Sequence, residues 1–130
     1  MTPAEAIDQS RQTIARLTLA VAALEKLPDS VQVDSAGLSG ILIRPSTYAE
    51  NMATLHAIRQ AFGEVELYQY YASYDGTLAL QYKTQAVSIT LYCTDIENAL
   101  ARVSGGKCKI VTQKREIIDQ TVVCGIGGES

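Results

Sequence analysis

The chain has 130 residues, 47% of them hydrophobic, and a formal net charge of −3 at pH 7. This length predicts one domain with a proper core, and the acidic balance (pI near 5.1) argues against general binding to nucleic acid or anionic membranes. No apolar run approaches the roughly 20 residues of a membrane span, and the N-terminus lacks the pattern of a signal peptide.

The first predicted element is a long N-terminal helix, residues 2–27. Thr2 is its expected N-cap, with Pro3 at the first helical position and Glu5 completing a capping box. Its apolar residues fall at a and d positions of a heptad repeat, with polar Ser10 the exception: Ile7, Ile14, Leu17, Val21 and Leu24. Such a helix is ~37 Å long, whereas a globule of the other hundred residues has a radius of gyration of about 13 Å. We therefore expect a homo-oligomer formed through this helix, the alternative being a helix that lies wholly across its own sheet.

Residues 30–124 are predicted to form an α+β domain. Two short strands, Ser30–Asp34 and Gly40–Arg44, should pair antiparallel, and a medium helix capped by Ser46 or Thr47 should run to Phe62 and stop at Gly63. A second capping box, Thr94 to Glu97, opens a short helix. The expected fold is thus a long N-terminal helix plus an antiparallel sheet of about six to seven strands, with one medium and one short helix.

A three-strand meander occupies the middle of the chain. Its runs cover residues 65–74, 77–83 and 86–92, and Asp75-Gly76 between the first two predicts a two-residue type I′ turn. Alternation places Leu80, Tyr82 and the apolar residues of the third run on a core face. Two closing strands, 107–113 and 116–124, are predicted after the short helix, with a turn at Lys114-Arg115 and a frayed tail at 125–130.

The three cysteines, Cys93, Cys108 and Cys124, each lie in or beside a predicted strand. Their number is odd and no pair has CxxC spacing, so we expect three buried free thiols in a reducing cytosol. His56 is the only histidine, and the acidic residues are scattered. The sequence therefore predicts no enzyme, no metal site and no cofactor.

Two residue distributions are uneven and point to a binding site. Six of the seven tyrosines lie in the meander, and five of the eleven basic residues lie between positions 102 and 115. Tyrosine rings stack on bases and arginine binds phosphate bidentately, which suggests a site for a small phosphorylated, base-containing ligand. The structural alternative is that tyrosines favour strands and that lysines protect sheet edges.

The order of elements, together with residues 87–107 and 119–124, resembles small phage proteins and is most similar to the anti-Thoeris sponge family. The resemblance implies an oligomeric, non-enzymatic phage counter-defence protein of the host cytoplasm that sequesters cyclic ADP-ribose isomers, and in some members cyclic oligonucleotides. It implies a ligand held by arginines, a sheet aromatic and an asparagine, which here match Arg115, Tyr82 and Asn98, with Arg59 as a further arginine. Lys109 and Lys114 supply the remaining basic rim.

Because Tyr82 has core parity, Tyr92 or Tyr70 is a possible substitute for it. The other function that we consider is a phage inhibitor, of the anti-CRISPR kind, that binds a bacterial defence protein directly through a sheet edge or the long helix. A nucleotide site needs a concavity with convergent polar groups, whereas a protein inhibitor needs a flat patch with an aromatic anchor.

Overall fold

A computed structural model describes residues 1–114 and 118–125, with side chains described for 1–111 and 120–125. The protein is α+β, with three helices and seven strands along this described part of the chain. The elements in chain order are α1 (Pro3–Lys26), β1 (Val33–Gly37), β2 (Gly40–Ile43), α2 (Tyr48–Phe62), β3 (Glu66–Ala72), β4 (Leu78–Lys83), β5 (Ser88–Cys93), α3 (Ile96–Ser104), β6 (Cys108–Lys114) and β7 (Ile118–Cys124). Within residues 1–114 and 118–125, no helix is both long and apolar enough to cross a membrane.

The strands form two sheets instead of the single antiparallel sheet expected from the sequence. Five strands pair in the order β1-β2-β5-β4-β3, and β6 and β7 form a separate antiparallel pair. Within the larger sheet β2 and β5 are parallel, with Ile41 opposite Ile89. The antiparallel contacts of β3, β4 and β5 are those of the predicted meander. Helix α2 connects β2 to this meander, and β5 then lies beside β2 and runs in the same direction.

Local signals place the helix ends. The Thr47 hydroxyl accepts the Glu50 N–H at the start of α2, and Gly63 follows its last residue, as predicted. Thr2 likewise accepts the Glu5 N–H at the start of α1. The cap of α3 differs from the prediction, because Asp95 and not Thr94 occupies the N-cap position, without a side-chain capping bond.

The turn between β3 and β4 is longer than the predicted two-residue type I′ turn. The Gly76 N–H donates to the Ser73 carbonyl, and the Ser73 N–H donates to the Thr77 carbonyl, so three residues separate the pair that closes the hairpin. Gly76 has φ 84°, but no other type of residue in the described part of the chain has positive φ. A type I′ turn needs positive φ at two residues, so Asp75 excludes it and Gly76 provides the bulge position instead.

The core lies between the larger sheet and the helices. Leu55 and Ile58 of α2 and Leu100 of α3 belong to the same buried cluster as the apolar residues of β2, β4 and β5. The β6–β7 pair adds partly buried apolar side chains at the margin of that cluster. Burial of side chains such as Leu80 and Leu91, both 0% exposed, contributes about 1.5–3 kcal/mol each.

The expectation of three free thiols is wrong. The β6–β7 register sets Cys108 opposite Cys124, and the two sulphurs form a disulfide, while Cys93 stays a buried free thiol. Sequence spacing did not reveal the pair because the two cysteines meet only when the hairpin register is fixed. Burial, partly offset by the hydrogen bond from Asn51, raises the pKa of Cys93 to about 11, which makes this thiol a poor nucleophile.

We therefore expect one free thiol in protein that is denatured and alkylated without reductant, and three after reduction. The count follows from the bridge, since a disulfide does not alkylate. Mass spectrometry of the alkylated chain makes the measurement, and Cys108→Ser is the matched control, which should give two free thiols without reductant. Three free thiols in the unreduced wild-type protein would contradict the bridge.

Candidate functional site

The two faces of the larger sheet differ in chemistry. Directly opposite residues of an antiparallel pair lie on one side of a sheet, so Leu80 and Leu91 share the core face. The second face carries the other parity, for example Tyr71 of β3, which lies opposite Ala79. We call this second set the tyrosine face, and its members are Glu66, Tyr68, Gln69, Tyr71, Ala79, Gln81, Lys83, Ser88, Thr90 and Tyr92.

A bulge in β3 adds a residue to the tyrosine face. The register shifts between Leu67 and Gln69, so Tyr68 has no direct partner on β4. Its ring lies 4.7 Å from the Lys83 ammonium, and its hydroxyl is 3.3 Å from the Ser88 hydroxyl. Gln69 follows on the same face and donates to the Gln81 side chain. The bulge therefore aims two consecutive side chains at one face, as bulges beside binding sites often do.

A groove of about 570 Å³ lies where the edge of the larger sheet meets the β6–β7 pair. We call it the tyrosine groove, and it is lined by Gln69, Tyr70, Tyr71, Ala72, Gln120, Thr121, Val122 and Cys124. Its volume lies within the roughly 300–1,000 Å³ of small-molecule sites. Tyr71 belongs to both the groove and the tyrosine face and is 41% exposed, so one ring is available at the junction of the two.

The described lining of the tyrosine groove is mostly apolar, with a few polar side chains, and none of these described residues is charged. The amides of Gln69 and Gln120 and the hydroxyl of Thr121 offer both donors and acceptors, and the tyrosines offer flat rings. The Tyr70 hydroxyl lies 3.5 Å from the Cys108 sulphur, so the disulfide contacts this side chain and helps to hold its position. Such a set of groups suits a flat, uncharged, hydrogen-bonding group such as a nucleobase.

Tyr92 marks the other end of the tyrosine face. Burial raises its pKa, and the nearby Tyr71, Asp75, Asp34 and Tyr74 raise it further. The phenol therefore stays neutral at physiological pH and keeps its proton as a hydrogen-bond donor. Asp75 itself is engaged by Thr77, whose side-chain hydroxyl donates to it at 2.7 Å and lowers the pKa of the carboxyl.

The residues singled out from the sequence do not gather around the groove. Tyr82 lies on the core face and is 4% exposed, and burial raises its pKa to about 12, so its ring has no free side for stacking. Arg59 is close enough to Tyr82 to oppose that rise, but its guanidinium donates to the Val65 carbonyl at 3.4 Å. Asn98 donates to the Asp95 carboxylate at 2.9 Å.

The predicted basic rim is only partly described. Lys109 is exposed on β6, opposite Val123 of β7. Lys114 is the last residue of β6, and its side chain is not among those described. Arg115 lies outside the described residues, so its role in a site stays a prediction.

The sequence did not single out Tyr71, Gln69 or the residues of β7 that line the tyrosine groove as site residues. Parity was a usable signal for Tyr71, because it places this residue on the face opposite the core. Nothing local could bring Gln120 and Thr121 beside β3, since that contact depends on how the closing hairpin packs.

A second cleft, of about 400 Å³, lies at the N-terminus of α2 and includes Arg44 and Glu50. It has little capacity to bind an anion through the helix, because the Tyr48 N–H already donates to Asp95 at 2.7 Å and the Glu50 N–H to Thr47. Burial alone would raise the pKa of Asp95, but the hydrogen bonds from Asn98 and Tyr48 outweigh it and lower the pKa. The tyrosine groove is therefore the better candidate.

The fold and groove define a small α+β protein with a mixed five-stranded sheet and an aromatic cleft at the sheet edge. Comparison with known protein families, curated proteins and solved structures gives no match for this chain.

Proposed function

We propose that the protein is a non-catalytic binding protein that sequesters a small nucleotide in the tyrosine groove. The observation that carries the proposal is an open groove whose described residues are uncharged and combine two tyrosines with the side-chain amides of Gln69 and Gln120. A base stacks on the exposed ring of Tyr71 while the amides bind its edge. The exposed Lys109, together with Lys114 and Arg115, supplies the cations for the phosphates.

The resemblance to the anti-Thoeris sponges gives this proposal its ligand class and its setting. The ligand is then a cyclic ADP-ribose isomer or a cyclic oligonucleotide, and the protein is a phage counter-defence protein. The Cys108–Cys124 bridge removes the support that free thiols gave to a reducing cytosol. The binding unit is a homo-oligomer held together by α1, because the side chains of the predicted heptad seam, such as Ile14 at 62% exposed, are left open by their own domain.

Replacing Tyr71 with alanine is expected to weaken nucleotide binding by about 1–3 kcal/mol, the usual value of one base–aromatic stack, or roughly 5-fold to 150-fold in Kd. The measurement is calorimetric titration of cyclic ADP-ribose isomers and of cyclic di- and trinucleotides. Tyr74→Ala is the matched control, because this tyrosine is fully exposed in the β3–β4 turn and does not line the groove.

Equal affinity of wild type and Tyr71→Ala would place the ligand elsewhere, and no binding of any nucleotide would remove the proposed function. Recovery of the intact ligand after heat release separates sequestration from hydrolysis.

The second candidate is an inhibitor that binds a defence protein directly. It is favoured by the edge position of β3, which exposes the large apolar side chains of Leu67, Tyr68 and Tyr71, and by Tyr74 at the tip of the turn. A protein partner would lose affinity in both Tyr71→Ala and Tyr74→Ala. The nucleotide proposal expects the loss in Tyr71→Ala alone.

A further inference from the structure

Helix α1 contributes little of its surface to its own domain. Of its 24 residues only Ala20 and Ala23 are buried, and Leu24 near the C-terminal end is half-buried. Five large apolar side chains of α1 remain exposed: Leu19 (46%) at an f position, and four along one heptad seam, Ile7 (51%), Ile14 (62%), Leu17 (41%) and Val21 (54%).

These four residues, which we call the α1 seam, form a stripe that is interrupted at Ser10. They occupy a, a, d and a positions, and from Ile7 to Val21 the stripe is about 21 Å long. Isolated exposed apolar residues need no explanation, but a stripe along one face of a helix indicates an interaction surface. The buried Ala20 and Ala23 lie at g and c positions, so attachment to the domain leaves the seam open.

We propose that the α1 seam is covered by the same seam of a second copy, in a parallel two-stranded coiled coil. The a positions are Ile7, Ile14 and Val21, all β-branched, and Leu17 is the leucine at an open d position, since Leu24 packs against its own domain. β-Branched residues at a with leucine at d favour two parallel strands over three or four. Ser10 is the one polar d residue and fixes the register at some cost in stability.

Charge argues against one antiparallel register, and the packing of Leu24 against its own domain argues against the other, which would set Ile7 against Leu24 of the second copy. One antiparallel register sets Ile7 against Leu17 of the second copy, so the pair is centred near Gln12. In this register Arg11, at an e position, lies beside Arg11 of the second copy. Like charges across a seam are destabilising. In the parallel pair the g-to-e neighbours of Arg11 and Thr18 are Ala6 and Thr13, so no like charges meet.

This inference rests on the proposed self-association and is independent of the ligand of the tyrosine groove. The first test is light scattering at micromolar concentration of wild type, Ile14→Asp and the control Gln12→Asp, which changes the outward f position of the same turn. Wild type and Gln12→Asp should have a mass of about 28 kDa, twice the 14.0 kDa of one chain, and Ile14→Asp should be a monomer. Because Ile14 is mostly exposed, Ile14→Asp should keep the circular dichroism of the folded domain and the nucleotide affinity of a single groove.

The second test is orientation. Residue 3 is a d position, so two copies of Pro3→Cys face each other in the parallel pair but lie about 27 Å or more apart in an antiparallel one. Oxidation should cross-link Pro3→Cys rapidly and Asp8→Cys, at an outward b position, slowly, with the linked tryptic peptide 1–11 identified by mass spectrometry.

A monomeric wild type would overturn both self-association and the coiled coil. A trimer or tetramer, a dimer unaffected by Ile14→Asp, or a dimer in which Pro3→Cys does not cross-link would overturn the parallel two-stranded pairing alone.

Discussion

Replacing Gly40 with alanine is expected to destabilise the protein by about 2–6 kcal/mol. Gly40 has φ 95°, and a Cβ at this position would run into the carbonyl oxygen of Ser88 on the neighbouring strand β5. A side chain at such φ costs about 1–3 kcal/mol, and relieving overpacking typically costs about 1–3 kcal/mol more. The clash lies where β2 begins beside β5. It therefore weakens first the β2–β5 pairing, which joins the β1–β2 hairpin to the β3–β5 meander.

Urea unfolding of Gly40→Ala and of the control Gly37→Ala makes the measurement. Gly37 is three residues earlier in the same hairpin, yet an added Cβ there meets nothing within 4 Å, and its φ is not positive. Gly37→Ala should change the free energy of unfolding by less than about 0.5 kcal/mol, the usual range for surface substitutions. Similar losses in the two variants would show that the close approach to Ser88 is not the cause.

Replacing Asn51 with aspartate is expected to cost about 3–5 kcal/mol at neutral pH. Asn51 is 1% exposed, and its amide nitrogen donates to the carbonyls of Tyr92 (2.8 Å) and Ser46 (3.3 Å) and to the Cys93 sulphur (3.3 Å). Its Oδ1 has no hydrogen-bond partner among the described residues. Aspartate would remove the donor, face two carbonyl oxygens and bury an uncompensated charge.

The loss should depend on pH. Burial beside carbonyl oxygens raises the pKa of the new carboxyl in the folded state, so the folded protein keeps a proton that the unfolded chain releases near pH 3.9. Stability of the variant therefore falls as pH rises above that value. The control is Asn51→Leu, which loses the same donor without gaining a charge, and both carbonyls keep a backbone bond, from Ser46 N–H to Tyr92 and from Thr94 N–H to Ser46.

The measurement is urea unfolding at pH 4.5 and pH 7. The difference between Asn51→Asp and Asn51→Leu should be smaller at pH 4.5. Equal stabilities of the two variants at pH 7 would contradict the burial of charge.

Sequence alone predicted the features that depend on neighbours along the chain. The caps at Thr2 and Thr47 and the stop at Gly63 follow from side chains three residues apart or from one glycine, and they are confirmed. The parallel contact of β2 with β5 was not predicted, since it joins Ile41 to Ile89 across α2 and the meander. Asn51 was missed for a related reason, because its hydrogen-bond partners lie mainly on β5.

The candidate site shows the same limit. The clustering of tyrosines in the meander pointed to the right sheet, but composition does not distinguish Tyr82 on the core face from Tyr71 on the other face, whereas register does. The partner strand β7 and the Cys108–Cys124 bridge depend on how the last hairpin folds and packs. Assignment of Arg115 stays a prediction because this residue lies outside the described part of the chain.

The parallel pairing of β2 and β5 also sets an order on folding during synthesis. The β1–β2 hairpin leaves the ribosome before the other strands, but Ile41 and Ile43, buried in the finished sheet, have no neighbouring strand on that side until β5 emerges. At about 5–20 residues per second, β5 follows β2 by roughly 2–10 s. During that interval the nascent chain presents an apolar strand edge next to a helix whose own seam is uncovered. Chaperone contact with the growing chain is therefore most needed between the synthesis of β2 and that of β5.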